Sequence, residues 1–515
     1  MLSALAAVAL TVVPADLVIR GGRVIDGVSS AAYTADVAIG GGRVVAIGRE
    51  LPKAPAEIDA TGLIVAPGFI DVHTHAENVA ELPLAENFIR MGVTTIVTGN
   101  CGSSAGSIAE FLDRIDRETV SVNVATLVGH NTVRRAAMSG EHDREPTPAE
   151  LSKMKSLVAE GMKDGAVGLS TGLIYLPGTF AKTPEIVELA KVAATHGGVY
   201  ASHMRNESTR IFDALNEVFT VAREAKIPCQ ISHIKLGGNA AWGQADKVLE
   251  AIEQARREGL DITQDQYVYT ASSTGIGSNL IPSKAREAGR EAFIKKIEDP
   301  VQKAAIVREM RESLARAGRS DYSYAVIASY RRDPSLNGKS IPQAALKLRG
   351  RDSLEDQIET ILEIERNGGA SGVFHGMHED DLRTFLKHPN TMIASDGGVR
   401  RFGQDVPHPR SYGNNVRVLG RYVRELALLR LEEAIRRMTS LPATTFRLKD
   451  RGTVREGAWA DLVVFDPAKV ADAATFEAPH QYAVGIVHVL VNGTPVVREG
   501  VHLGTKPGKA LRLSR

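Results

Sequence analysis

Short apolar runs, many of them stopping on a histidine, cysteine or aspartate, recur along the middle of the chain. They are Phe69 to His75, Thr94 to Cys101, Val122 to Val128, Gly165 to Leu173, Gly198 to His203, Pro228 to His233, Asp261 to Tyr269 and Thr391 to Asp396. Between them, stretches such as Glu185 to Thr195 and Ile211 to Ala225 repeat apolar residues at helical intervals. Eight strands alternating with helices predict parallel β/α units closed into a (β/α)8 TIM barrel.

The two ends have another texture. Asp16 to Arg20 and Arg23 to Asp26 flank Gly21-Gly22, and Ala35 to Ile39 and Val44 to Ile47 flank three glycines, which predicts hairpins. Ala460 to Phe465 and Val484 to Val491, closed by Asn492-Gly493, match them at the far end. Neither end has a core of its own, so residues 16–64 and 451–515 are expected to form one small discontinuous β domain around a barrel spanning 65–450. Residues 278–369 exceed a simple crossover and read as an insertion between the seventh and eighth strands. They carry charged helical stretches at Glu291 to Lys296, Val301 to Ala315 and Leu354 to Arg366, with a strand expected at Tyr324 to Ile327; beyond them, Gly372 to Phe374 before His375 reads as an extra strand.

Composition narrows the function without naming it. A net charge of +1 with no basic block argues against nucleic acid, and two cysteines exclude a disulfide framework. No apolar run is long enough to cross a bilayer. The apolar segment at 1–15 resembles a signal core but lacks its positive start, leaving export and cytoplasmic residence both open. Oligomeric state is not readable.

The chemistry lies at the strand exits, where barrel enzymes place their active sites. Side chains alternate along a strand, so His73 and His75 share a face. Cys101, His203, His233 and Asp396 leave other strands at the same end. Each has an ordinary alternative: a buried histidine, a small buried cysteine, a helix-capping aspartate. Six together point to a metal site, with zinc as the usual cation for imidazole and thiolate. Asp396 beside such a cation could take a proton from water and return it to a leaving nitrogen. His130, His375 and His378 read equally well as structural or rim residues. Cys229 starts a strand and reads as buried.

Gly68 to His75, Gly99-Asn100-Cys101-Gly102, Ser202 to Glu207, Ser232 to Lys235, Ser395-Asp396-Gly397 and His408-Pro409-Arg410 together resemble the D-aminoacylase, or N-acyl-D-amino-acid deacylase, family of the metal-dependent amidohydrolase superfamily. Many relatives in that superfamily use a lysine at the fourth strand; here Gly168 to Gly172 carries none and Lys163 lies too early. The resemblance implies a tight zinc on Cys101, His203 and His233, and a weaker second position on His73 and His75 with Cys101 bridging and Asp396 nearby. It further implies hydrolysis of the amide between an acyl group and a D-amino acid, extending to dipeptides that end in a D-residue, with Asp396 as base and then acid. Lys235, Tyr267 and Ser273 would hold the substrate carboxylate. Spacing itself carries no stereochemistry. A cyclic amidase or an L-specific dipeptidase on the same barrel is the alternative enzyme, and a non-catalytic scaffold the alternative class.

Overall fold

The computed structural model describes residues 14–29, 31–140 and 142–513. The signal-like segment expected at 1–15 lies outside them except for its last two residues.

The expected barrel strands form. Phe69–Asp71, Val93–Thr98 and Asn123–Thr126 pair in parallel. Val128–Gly129, Gly168–Gly172, Val199–His203, Cys229–Ile231, Ile262–Gln266 and Thr391–Ile393 follow in parallel order. The third strand is broken only at Leu127, whose amide still donates to the Thr98 carbonyl at 2.9 Å. A parallel bridge between Thr74 and Gly397 closes the ring. There the Asp396 amide donates to His73 (2.8 Å) and the His75 amide to Gly397 (2.7 Å), so the first and last strand exits are locked together. The helices expected between strands are present at Thr183–Thr195 and Ile211–Ala225.

The termini share a nine-stranded sheet, joined where Ile64–Pro67 pairs antiparallel with Leu462–Phe465. Ile19, Val37, Val65, Leu462 and Leu490 fill its separate core. The chain passes from this sheet into the barrel through Gly68, where a Cβ would stand 2.2 Å from Thr94 Cγ2. Only glycine admits that approach. One local expectation is corrected: Gly21-Gly22 is no hairpin corner. Leu17–Val24 is one strand with a bulge between Ile19 and Gly22, because Gly21 takes a positive φ of 62° and keeps pairing on both sides. Asn492-Gly493, with φ of 49° and 78°, does form the expected tight turn. The final residues leave the sheet, and the Leu511 amide donates to Val124 on the third barrel strand at 2.7 Å.

The insertion folds around its own core of Phe293, Met310, Tyr322, Ile361 and Phe374. Its helices Gly289–Glu298, Pro300–Arg316 and Leu354–Arg366 match the charged stretches. Its antiparallel sheet joins Ala325–Ser329 to Ser371–His375 and to Ala271–Gly275, so the pairing reaches beyond both edges of 278–369.

His130 belongs to the scaffold. Its Nε2 lies 2.8 Å from Glu185, which also receives the fully buried guanidinium of Arg134. Burial opposes the Glu185 charge, yet His130 and Arg134 hold its pKa below the usual glutamate value. A depressed folded pKa adds stability above the unfolded value and loses it as pH falls through the folded one. Glu185→Gln, which strands the Arg134 charge, is expected to cost about 3 kcal/mol at neutral pH. Urea melts at pH 7 and on acidification below the ordinary glutamate range should show the gap between wild type and variant closing.

Candidate metal centre

Six side chains from five strand exits converge. Cys101 Sγ lies 3.3 Å from His73 Nε2, 3.5 Å from His203 Nδ1 and 3.6 Å from His233 Nε2. His203 Nδ1 and His233 Nε2 are 2.8 Å apart. His75 Nε2 is 3.1 Å from Asp396 Oδ1, and His73 Nε2 is 3.7 Å from the same oxygen. Three overlapping triads could hold a cation: His73-His75-Cys101, Cys101-His203-His233 and His73-His233-Asp396. All these side chains are buried except that of His75, 38% exposed.

The backbone is shaped for this convergence. Cys101, His233 and Asp396 all have positive φ, at 53°, 37° and 51°. Left-handed conformations in non-glycine residues carry strain and cluster at functional sites. Cys101 is held by its neighbours: the Gly102 amide donates to Ser170 Oγ at 3.0 Å, and Ser170 Oγ donates to the Gly99 carbonyl. At Gly172 a Cβ would sit 2.1 Å from the Cys101 carbonyl oxygen. A side chain there would displace the thiol.

The donor types suit zinc, and two of the three edges of the Cys101-His203-His233 triad match it, the 2.8 Å His203–His233 edge being the short one. Tetrahedral bonds of about 2.3 Å to sulfur and about 2.05 Å to nitrogen imply S···N edges of about 3.6 Å, close to the 3.5 and 3.6 Å at His203 and His233. Burial opposes the Cys101 thiolate, but His73, His203 and His233 bring its pKa well below the thiol value. Burial likewise opposes charge on His73 and His75, while Cys101 and the nearby carboxylates raise both, His75 to about 10. Burial lowers His203. Against its own burial, Asp396 is held well below the carboxylate range by Arg410 and His73.

Residues without an assigned role in the sequence orient these donors. Glu207 Oε1 lies 3.0 Å from His233 Nδ1 and 2.6 Å from Lys235 Nζ. A proton on Nδ1 donated to Glu207 leaves the Nε2 lone pair facing the thiol. Asp265 accepts from the His233 amide at 3.0 Å and faces His73 Nδ1 at 3.4 Å. Arg410 Nη1 is 2.9 Å from Asp396 Oδ2, with its guanidinium 4.5 Å above the Tyr267 ring. Glu207 and Arg410 sat inside conspicuous motifs. Asp265 announced itself only as a carboxylate between two glutamines on a buried strand.

A cavity of about 360 Å³ opens beside the centre, walled by Tyr175, Lys235, Ser273, Phe374, Met377 and Asp396 among others. Lys235 and Ser273 thus face one space. Tyr267 lies behind it, buried, with its hydroxyl 3.4 Å from Met377 Sδ and its ring centre 6.0 Å from Lys235 Nζ. His375 and His378 are not part of the centre: His375 packs on Phe476, and His378 caps the helix Glu379–Lys387. Cys229 is buried away from it, its thiol pKa raised by burial.

Comparison with known proteins agrees with this architecture. Residues 56–497 match the Amidohydrolase family. The chain is 36% identical to a D-aminoacylase of Alcaligenes xylosoxydans xylosoxydans over 97% of its length and 98% of the relative's. Crystal structures of D-aminoacylase superpose with a TM-score of 0.83 at 35% identity, covering 97% of this chain and 100% of theirs; one concerns one-metal activation and second-metal attenuation at a binuclear centre. N-acyl-D-glutamate deacylase of Bordetella bronchiseptica, solved with zinc and a phosphonate mimic of the tetrahedral intermediate, superposes with a TM-score of 0.82 at 34% identity, covering 97% and 100%. With its barrel, its closed ring of donors and a match across most of its length, this chain belongs to the Amidohydrolase family.

Proposed function

We propose that the protein is a zinc-dependent hydrolase of N-acyl-D-amino acids, releasing a carboxylate and a free D-amino acid. The observation that carries this reading is a thiol flanked by three imidazoles within 3.6 Å, beside an ion-paired carboxylate and a lysine-bearing cavity. The full-length likeness to D-aminoacylase supports the substrate class.

Cys101, His203 and His233 would hold the zinc, which would supply Lewis acidity toward the amide carbonyl. Asp396, ionised between Arg410 and His75, takes the proton of the attacking water and returns it to the departing nitrogen as the C–N bond breaks. Lys235 and Ser273, which line the cavity, receive the α-carboxylate, with Tyr267 behind them within reach only if its hydroxyl leaves Met377; an ammonium and hydroxyls suit that group. His73, His75, Cys101 and Asp396 form a weaker second position. A cation there would take the lone pair Asp396 needs as a base. Zinc added beyond one equivalent is therefore expected to lower turnover of N-acetyl-D-methionine, read by assaying a zinc titration of metal-stripped protein. Turnover that rises until two equivalents are bound would show that both positions serve the reaction.

The side-chain part of the cavity favours neutral D-residues over acidic ones. Ile174, Tyr175, Phe374 and Met377 line it, and of its two arginines one is ion-paired and the other lies against a carbonyl and an aromatic ring. Arg205 pairs with Glu217 at 3.0 Å, and Arg319 donates to the His375 carbonyl and stacks on Tyr324. Release of free amino acid from N-acetyl-D-methionine, N-acetyl-L-methionine and N-acetyl-D-glutamate tests the whole reading. The D-methionine derivative is expected to be fastest, by about tenfold or more over D-glutamate and further over the L form. Equal rates on D and L, or activity on L alone, would overturn it.

A further inference from the structure

A second cavity, of about 530 Å³, meets the catalytic one at Ser273, which lines both. It lies on the other side of the centre. Its walls include Leu82, beyond the strand that bears His73 and His75, and Arg400, just past Asp396. Three guanidinium groups line it, those of Arg331, Arg400 and Arg401. Among the described residues, no carboxylate lies within ion-pair distance of any of them. The same wall carries two carboxylates: Glu81 pairs with Arg114 at 3.3 Å, and Asp405 accepts from the Asn337 amide at 3.3 Å and acts on Arg400 from beyond ion-pair distance.

Arg400 is the cation nearest the chemistry. A Cβ placed on Gly398 would lie 2.7 Å from the His75 carbonyl oxygen and 3.5 Å from Arg400 Cζ. Its guanidinium is therefore folded back toward the closing edge of the barrel, beside His75 and Asp396. All three guanidinium-bearing residues are exposed to solvent; desolvation and the charge of Arg410 work against the Arg400 cation, while Asp405 and Asp396 favour it. Three guanidinium groups against two carboxylates leave the cleft net positive, which favours an anionic ligand.

The two halves of a scissile amide leave the reacting carbon in different directions. On the deacylase reading, on which this inference rests, the D-amino acid occupies the Lys235 cavity, and the acyl chain points along the His75 side. We propose that the arginine cleft binds a carboxylate at the far end of the acyl chain, so that preferred substrates are D-amino acids N-acylated with a dicarboxylic acid. Water adds to the amide carbon, the C–N bond breaks, the nitrogen gains a proton, and a dicarboxylate and a D-amino acid leave.

The test compares kcat/KM of the zinc enzyme on N-succinyl- and N-butanoyl-D-methionine, which match in acyl length and differ in the terminal charge. N-acetyl-D-methionine reports that each preparation is folded and active. Wild type is expected to favour the succinyl compound at least tenfold, the preference shrinking with added salt. Arg400→Gln and Arg331→Gln should each pull the ratio toward one, and either variant suffices if the other fails to fold. A wild-type ratio at or below one, or a ratio untouched by both substitutions, would overturn the assignment. Failure to hydrolyse any of the three compounds would remove the deacylase reading itself, and this assignment with it.

Discussion

Asp396→Asn is expected to lower kcat on N-acetyl-D-methionine by about a thousandfold, within the usual range for removing a general acid-base group, while zinc content stays near that of wild type. The argument is positional. The carboxylate sits 3.1 Å from His75 and 2.9 Å from Arg410 but lies outside the Cys101-His203-His233 triad. Asparagine keeps the shape and loses the basic oxygen. It also leaves Arg410 without its counter-charge, so circular dichroism and a thermal melt should accompany the kinetics. Near-normal turnover in a folded, zinc-loaded variant would assign the proton transfers to another group.

Cys101→Ala is expected to do more, removing metal and activity together. Mutating groups that merely orient a metal ligand weakens binding about 10- to 100-fold, and loss of a direct donor should exceed that. Cys101 faces three imidazoles at once, and among the described residues it is the one thiol at the centre. Metal analysis after dialysis, alongside assays at graded zinc concentrations, should find about one zinc per wild-type chain and very little in the variant. Full zinc retention with activity would leave the cysteine a structural residue.

The barrel and its donors were legible in the sequence because both depend on short-range pattern. Strand alternation puts His73 and His75 on one face, and apolar runs that stop on His203, His233 and Asp396 mark exits at a common end. What joins residues far apart in the chain left weaker traces. Glu207 and Asp265 act by reaching imidazoles on other strands, contacts that exist only once the ring has closed. Arg400 and Arg410 both follow Asp396 in sequence, but the direction of their guanidinium groups is set by Gly398 and Tyr267. At Gly21-Gly22 the residues suited a turn and a bulge equally, and pairing with Ala35 beyond Gly22 decided for the bulge. The sequence likewise gave no sign that the last residues return to the third barrel strand.

X-ray absorption at the zinc edge of the purified protein tests most directly whether Cys101 joins the histidines on one cation. The predicted spectrum has one sulfur at about 2.3 Å with nitrogen and oxygen neighbours at about 2.0–2.1 Å, and the sulfur shell disappears in Cys101→Ser. A wild-type spectrum with only nitrogen and oxygen around zinc would contradict it.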